Sequence, residues 1–201
     1  KVFQVRRRVA MAIEGLSLGR KEREEIDKAV GELGKYRHGL TRSPLHAVER
    51  IINASFGNQR RRAYLEGKLA EILTSGASFE CKQFVCKKLR LIGTTLSLPY
   101  LKKLLLREKF TNMACLAIGM NPAKESGKVL LRALPKVKGL SKIAIINLLG
   151  ERGEVGAVGR LKDLALSGER EISEACLEAL GKIPTGKAAQ ALLEVRKEGV
   201  G

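Results

Sequence analysis

The sequence predicts an all-α chain, an α-solenoid of stacked helical hairpins with a period of about 31 residues, a length typical of helical repeats. Three observations predict it. Four segments close alike, at Leu91-Ile92-Gly93, Ala117-Ile118-Gly119, Leu148-Leu149-Gly150 and Ala179-Leu180-Gly181, and the last three glycines are evenly spaced while the first interval is shorter. After each closure comes a short linker and a second apolar-periodic run: Leu98 to Leu106, Ser126 to Leu134, Ala157 to Leu166, and Lys187 to Val195. Finally, 44% of the 201 residues are hydrophobic but only 4% are aromatic, and Trp is absent. A core of Leu, Ile, Ala and Val suits packed helices better than a β-sandwich. One pair of such short helices cannot bury its apolar face alone, whereas stacked pairs share a continuous core.

The N-terminal part is less regular. Residues 1–19 are ambiguous, with a helix expected from about Gln4. Lys21 to Leu33 is amphipathic, with Ile26, Ala29, Val30 and Leu33 on one face and Gly34 as its stop. Ser43 is the expected N-cap, with Pro44 in the first helical position, of a helix through Ala47, Val48, Ile51 and Ile52. Residues 58–73 form a third helix. Residues 1–57 are expected to cap an array running from 58 to 201, because the end of a repeat stack must be covered.

Within the array, Gly93, Gly119, Gly150 and Gly181 are expected to end their helices in the left-handed conformation. Pro99, Pro122 and Pro184 suit the first turn of the helix that follows. One unit departs from the pattern: Asn112 to Gly119 reads as a short helix, and Met120-Asn121-Pro122 replaces the usual Gly-Asp linker. The shorter first interval between closing glycines fits that contraction.

The run from Phe84 to Gly93 leading into Leu98-Pro99-Tyr100-Leu101-Lys102-Lys103-Leu104-Leu105, and the run Ile145 to Gly153 with Val158 and Leu161-Lys162-Asp163-Leu164, resemble the HEAT-like repeat family. The similarity is to its short-repeat bacterial branch, related to the bilin-lyase type repeats. It covers residues 80 to 198, and residues 58 to 80 look like the helix that precedes such arrays. The resemblance implies a superhelix that binds other proteins, or in some members nucleic acid. It also implies that the second helix of each pair lines the concave side.

Charge is distributed unevenly. The formal net charge is +17, from 38 basic and 21 acidic residues. Residues 1–80 carry +6, residues 81–142 carry +12, and residues 143–201 carry −1. The central block holds 14 bases against two acids, Glu108 and Glu125. A surface shaped for solubility alone mixes the signs, so this block is expected to meet an anionic partner. The candidate contacts are Lys87, Arg90, Lys102, Lys103, Lys128, Arg132 and Lys142. Gln83, Lys87 and Arg90 share a helix face by their spacing.

Residues suited to catalysis are sparse. Glu22, Glu24, Glu25 and Asp27 are interleaved with Lys21, Arg23 and Lys28, a pattern of surface pairs. His38 lies in a turn and His46 on a helix, with no zinc-ligand spacing around either. Gly153-x-x-Gly156-x-x-Gly159 lacks a preceding strand and a Gly-Lys-Ser/Thr ending, so it reads as a turn into a helix. Cys81, Cys86, Cys115 and Cys176 show no CxxC spacing and fall in apolar helical patterns; reduced, buried thiols are expected, which favours a cytoplasmic setting. The first residue is Lys1, so an upstream targeting segment stays open. No apolar run reaches membrane-spanning length. DNA glycosylases of HEAT-like fold rely on aromatic residues, especially Trp, and this chain has no Trp.

The expected function is therefore a non-catalytic scaffold, without cofactor or metal, that takes an acidic protein or peptide on a basic concave face. The alternative is a sequence-tolerant nucleic-acid-binding module that contacts phosphates.

Overall fold

The computed structural model describes residues 18–167 and 169–198, and all regular structure among them is helical. Eleven α-helices follow one another among the described residues. These are α1 (Arg20–Gly34), α2 (Ser43–Ala54), α3 (Gln59–Ile72), α4 (Phe79–Ile92), α5 (Leu98–Leu105), α6 (Glu108–Gly119), α7 (Glu125–Ala133), α8 (Gly139–Glu151), α9 (Val158–Ala165), α10 (Arg170–Lys182) and α11 (Gly186–Lys197). The helix expected near Gln4 lies outside the described residues.

Most helices two apart in sequence touch. α4, α6, α8 and α10 contact one another in succession; α3, α5 and α7 do so in a second row, as do α9 and α11. Consecutive helices join the rows, and α1 packs on both α2 and α3. One apolar core extends from Leu18 to Val195. It is built almost wholly from the aliphatic positions that the helical periodicity marks: Ile26 and Leu33 in α1, Leu65 and Leu69 in α3, Val85 and Leu89 in α4, Ile145 and Leu149 in α8.

Polar side chains tie the rows together at both edges. At the edge where α4, α6, α8 and α10 begin, four small buried groups recur, one per unit: Cys81, Thr111, Ser141 and Ser173. The Cys81 thiol donates to the Leu33 carbonyl (3.1 Å), the Thr111 hydroxyl to Leu105 (3.0 Å) and the Ser173 hydroxyl to Ala165 (2.7 Å). The fourth, Ser141, donates to Thr111 Oγ1 at 3.0 Å. Each of the three bonds goes to a carbonyl at or near a helix C-terminus, where carbonyls lack a partner within their own helix.

At the other edge, Glu66 accepts from the backbone N–H of Thr94 (2.7 Å), the Thr94 hydroxyl (2.8 Å) and the N–H of Ser97 (3.0 Å). Asn121 Nδ2 donates to the Thr94 carbonyl at 2.9 Å. Arg152 Nη1 in turn donates to the carbonyls of Ile118, Gly119 and Asn121, at 2.8 to 3.1 Å. The α4–α5, α6–α7 and α8–α9 turns are thereby linked in series.

Three expectations need correction. The closing glycines are not left-handed: positive φ among the described residues belongs to Gly39, Gly57, Gly139 and Gly153, whereas Gly93 has φ −67°. Gly119, Gly150 and Gly181 lie inside their helices. At Gly150 the requirement is for space, since a Cβ there would stand 2.6 Å from the Ala179 Cα in the neighbouring helix. Ser43 is the first helical residue rather than the N-cap, and its hydroxyl pairs with that of Thr41 at 3.0 Å. The helix ending at Gly119 is not short: it begins at Glu108 and has 12 residues, its first turn held to the α5 C-terminus by the Thr111 hydroxyl on the Leu105 carbonyl.

Candidate functional site

The central bases stand on helices whose apolar faces are committed to the core, which turns the charged positions outward. In α4, Val85, Cys86 and Leu89 are buried and Lys87 and Arg90 are exposed. In α5, Leu101, Leu104 and Leu105 are buried, leaving Lys102 half-buried and Lys103 exposed. In α7, Leu130 and Ala133 point inward, with Lys128 and Arg132 exposed. Lys142 in α8 is half-buried and close enough to Cys176 of α10 for its charge to act on that thiol.

These seven residues fall on two rows of helices. Lys87, Arg90 and Lys142 belong to the row of α4, α6, α8 and α10, while Lys102, Lys103, Lys128 and Arg132 stand on the adjoining helices α5 and α7 of the other row. Among the described residues none of the seven makes an ion pair with a carboxylate. The ion pairs instead gather at the two ends of the chain. Arg61 pairs with Glu25 (2.8 Å) and Lys68 with Asp27 (2.9 Å); towards the C-terminus Lys162 pairs with Glu194 (3.0 Å) and Lys182 with Glu178 (2.7 Å). The central block takes part in one described pair, Lys88 with Glu49 at 2.6 Å.

Arg90 also borders a groove across α4, α6 and α8. Asn112, Leu116, Met120, Asn147 and Glu151 line it. The Oδ1 of Asn147 is buried there without a hydrogen-bond partner. Leu116 and Met120 are exposed, so the groove floor offers apolar contact beside amide groups.

Neither the thiols nor the imidazoles form a reactive centre. All four cysteines are free and buried, and burial pushes Cys86, Cys115 and Cys176 up to about 12 and Cys81 up to about 11. His38 and His46 are exposed, the latter 3.2 Å from Glu49. No group of three or more His, Cys, Asp or Glu among the described residues could hold a metal ion. No helix among them is long and apolar enough to cross a membrane.

A second cationic cluster involves residues that the charge pattern alone did not single out as contacts. The Phe79 and Phe110 rings lie 5.6 Å apart at the start of α4 and α6. Lys82 and Arg107 approach the Phe110 ring at 5.4 and 5.9 Å, and Lys109 the Phe79 ring at 5.0 Å. The signal was the period itself: Phe79 and Phe110 are one repeat length apart in sequence, so stacking one unit on the next brings their rings together.

No family model matches the chain, and no curated protein matches it.

Proposed function

We propose that the chain is an α-solenoid of HEAT-like helical hairpins that serves as a non-catalytic scaffold, taking an acidic protein segment on its basic concave face. Two features support the solenoid reading: contacts between helices two apart, and buried polar ties recurring once per unit. One observation carries the functional reading. The ion pairs of the described residues leave thirteen of the fourteen central bases without a carboxylate of their own chain. Uncompensated like charges repel in the folded protein, and an acidic partner relieves that repulsion while its approach is steered by the field.

The test is fluorescence anisotropy of a labelled oligoglutamate peptide at low and high salt, beside random duplex and single-stranded DNA. The scaffold reading expects the peptide to bind at low salt and to be released as the ions screen the attraction. Binding of DNA alone, with a steep salt slope from counterion release, moves the assignment to the phosphate-contacting alternative. Absence of binding to every polyanion at low salt removes both.

A further inference from the structure

We infer that the acidic partner is anchored at the edge where α4, α6 and α8 begin, by Lys82, Arg107 and Lys109 around the Phe79–Phe110 pair, and that the segment it presents alternates carboxylates with apolar side chains. This rests on the scaffold reading and adds to the expected face an anchoring point at its edge.

Lys82 is the centre of the case. Its residue is only 4% exposed, yet it makes no ion pair among the described residues. Of its three ammonium donors, one goes to the Ser75 carbonyl at 2.8 Å. The charge that acts on it most is that of Arg107, which repels it; burial and that repulsion both hold its pKa below the usual lysine value. A buried cation is costly unless paired. Here the stabilising contacts are one carbonyl and an aromatic face. A carboxylate placed on the exposed Arg107 would offset the repulsion that Lys82 feels from it.

The edge continues from there. Ser141 binds Thr111, so the first turn of α8 lies beside that of α6. A cleft between them is lined by Leu106, Val137, Lys136 and Lys138, with Glu108 and Ser141. Leu106 is exposed, and Leu140, next to the cleft in sequence, is 76% exposed. This edge thus carries both bases and open leucines.

Three features favour a peptide over nucleic acid. Each ring already has a cation of the chain near it, which competes with base stacking there. Glu80 and Glu108 share these turns, and neither is ion-paired among the described residues. They would repel the dense charge of a phosphate backbone more than the sparser carboxylates of a peptide. Leu140, for its part, gains nothing from phosphates and is buried by an apolar side chain.

The experiment is anisotropy with a fluorescein-labelled peptide of glutamates and interspersed leucines, on the whole chain and three variants, each checked by circular dichroism. Arg107→Gln with Lys109→Gln, both exposed positions, is expected to weaken binding about tenfold. Leu140→Ser is expected to weaken the leucine-containing peptide but not plain oligoglutamate. Arg160→Gln with Lys187→Gln, exposed bases outside the central block, is expected to leave affinity within about twofold. Unchanged affinity in the Arg107/Lys109 variant, or an equal loss in the Arg160/Lys187 variant, overturns the location while the scaffold reading stands. An edge variant that loses duplex DNA binding, in a chain that never bound peptide, overturns the choice of partner. No peptide or DNA binding by the unaltered chain sinks the scaffold reading itself.

Discussion

Gly150 faces the backbone of Ala179: a methyl group on Gly150 would lie 2.6 Å from the Ala179 Cα and 2.8 Å from its Cβ. α8 and α10 therefore touch through their main chains, and a side chain of any size at Gly150 must push them apart. Gly150→Ala is expected to destabilise the protein by roughly 1–3 kcal/mol, the overpacking strain exceeding the gain in helix propensity. Gly181 occupies the corresponding sequence position one unit on but has open space around it. Gly181→Ala is expected to be neutral or to stabilise by up to about 1 kcal/mol. Urea unfolding of the two variants checks the contrast; equal effects would contradict it.

Glu66 offers a test by pH. Its carboxyl is held above the usual carboxylate range by burial, partly offset by the hydrogen bonds from Thr94 and Ser97. Between the ordinary carboxylate pKa and this raised native value the folded state binds more protons than the unfolded chain. Stability is therefore expected to fall as pH rises through that window. Glu66→Gln keeps an oxygen for the two N–H groups and an amide for the Thr94 hydroxyl, and should flatten the dependence at a cost below about 1 kcal/mol. Glu66→Ala leaves the buried donors unpaired and should cost roughly 2–4 kcal/mol. Chemical denaturation of the three proteins from mildly acid to neutral pH reads both effects.

The Lys88–Glu49 pair joins α2 to α4 and has the opposite sign. The hydrogen bond from Lys88 is the leading cause that holds the Glu49 carboxyl below its usual range, with His46 adding to it. Its contribution is present above the ordinary carboxylate pKa and lost as pH falls through the lowered native value. Both groups are partly solvated, so Lys88→Met is expected to cost no more than about 1 kcal/mol at neutral pH. The penalty should shrink in acid, which the same denaturation series measures.

The thiols give a simple chemical check. With all four pushed to about 11 or 12, almost no thiolate exists at mildly alkaline pH, and each sulfur is buried. The native protein is expected to react negligibly with a chromogenic disulfide reagent at pH ~8, where an ordinary thiol near its pKa of about 8.5 reacts readily. All four should react in denaturant. A fast-reacting thiol in the native state would contradict the burial.

The helices themselves were legible because helical periodicity is local. Ile26, Ala29, Val30 and Leu33, or Leu101, Leu104 and Leu105, mark a buried stripe whatever lies opposite. The runs read from the sequence at Leu98 to Leu106 and Lys187 to Val195 correspond closely to α5 and α11. The small groups at Cys81, Thr111, Ser141 and Ser173 were also periodic, but a hydroxyl or thiol in a helix announces no partner. Its value appears only when a carbonyl from another helix is beside it.

By itself, then, the sequence determined the all-helical class, the aliphatic core and the concentration of positive charge in residues 81–142. Tertiary structure decided the rest: that Gly150 serves close approach rather than a left-handed turn, that the seven candidate bases divide between two rows, and that Lys82 is buried beside the Phe110 ring within reach of the Arg107 charge. The division follows from range. Burial stripes and charge density depend on neighbours within a few turns of one helix, whereas these three relationships depend on how successive units, distant in sequence, are set against each other.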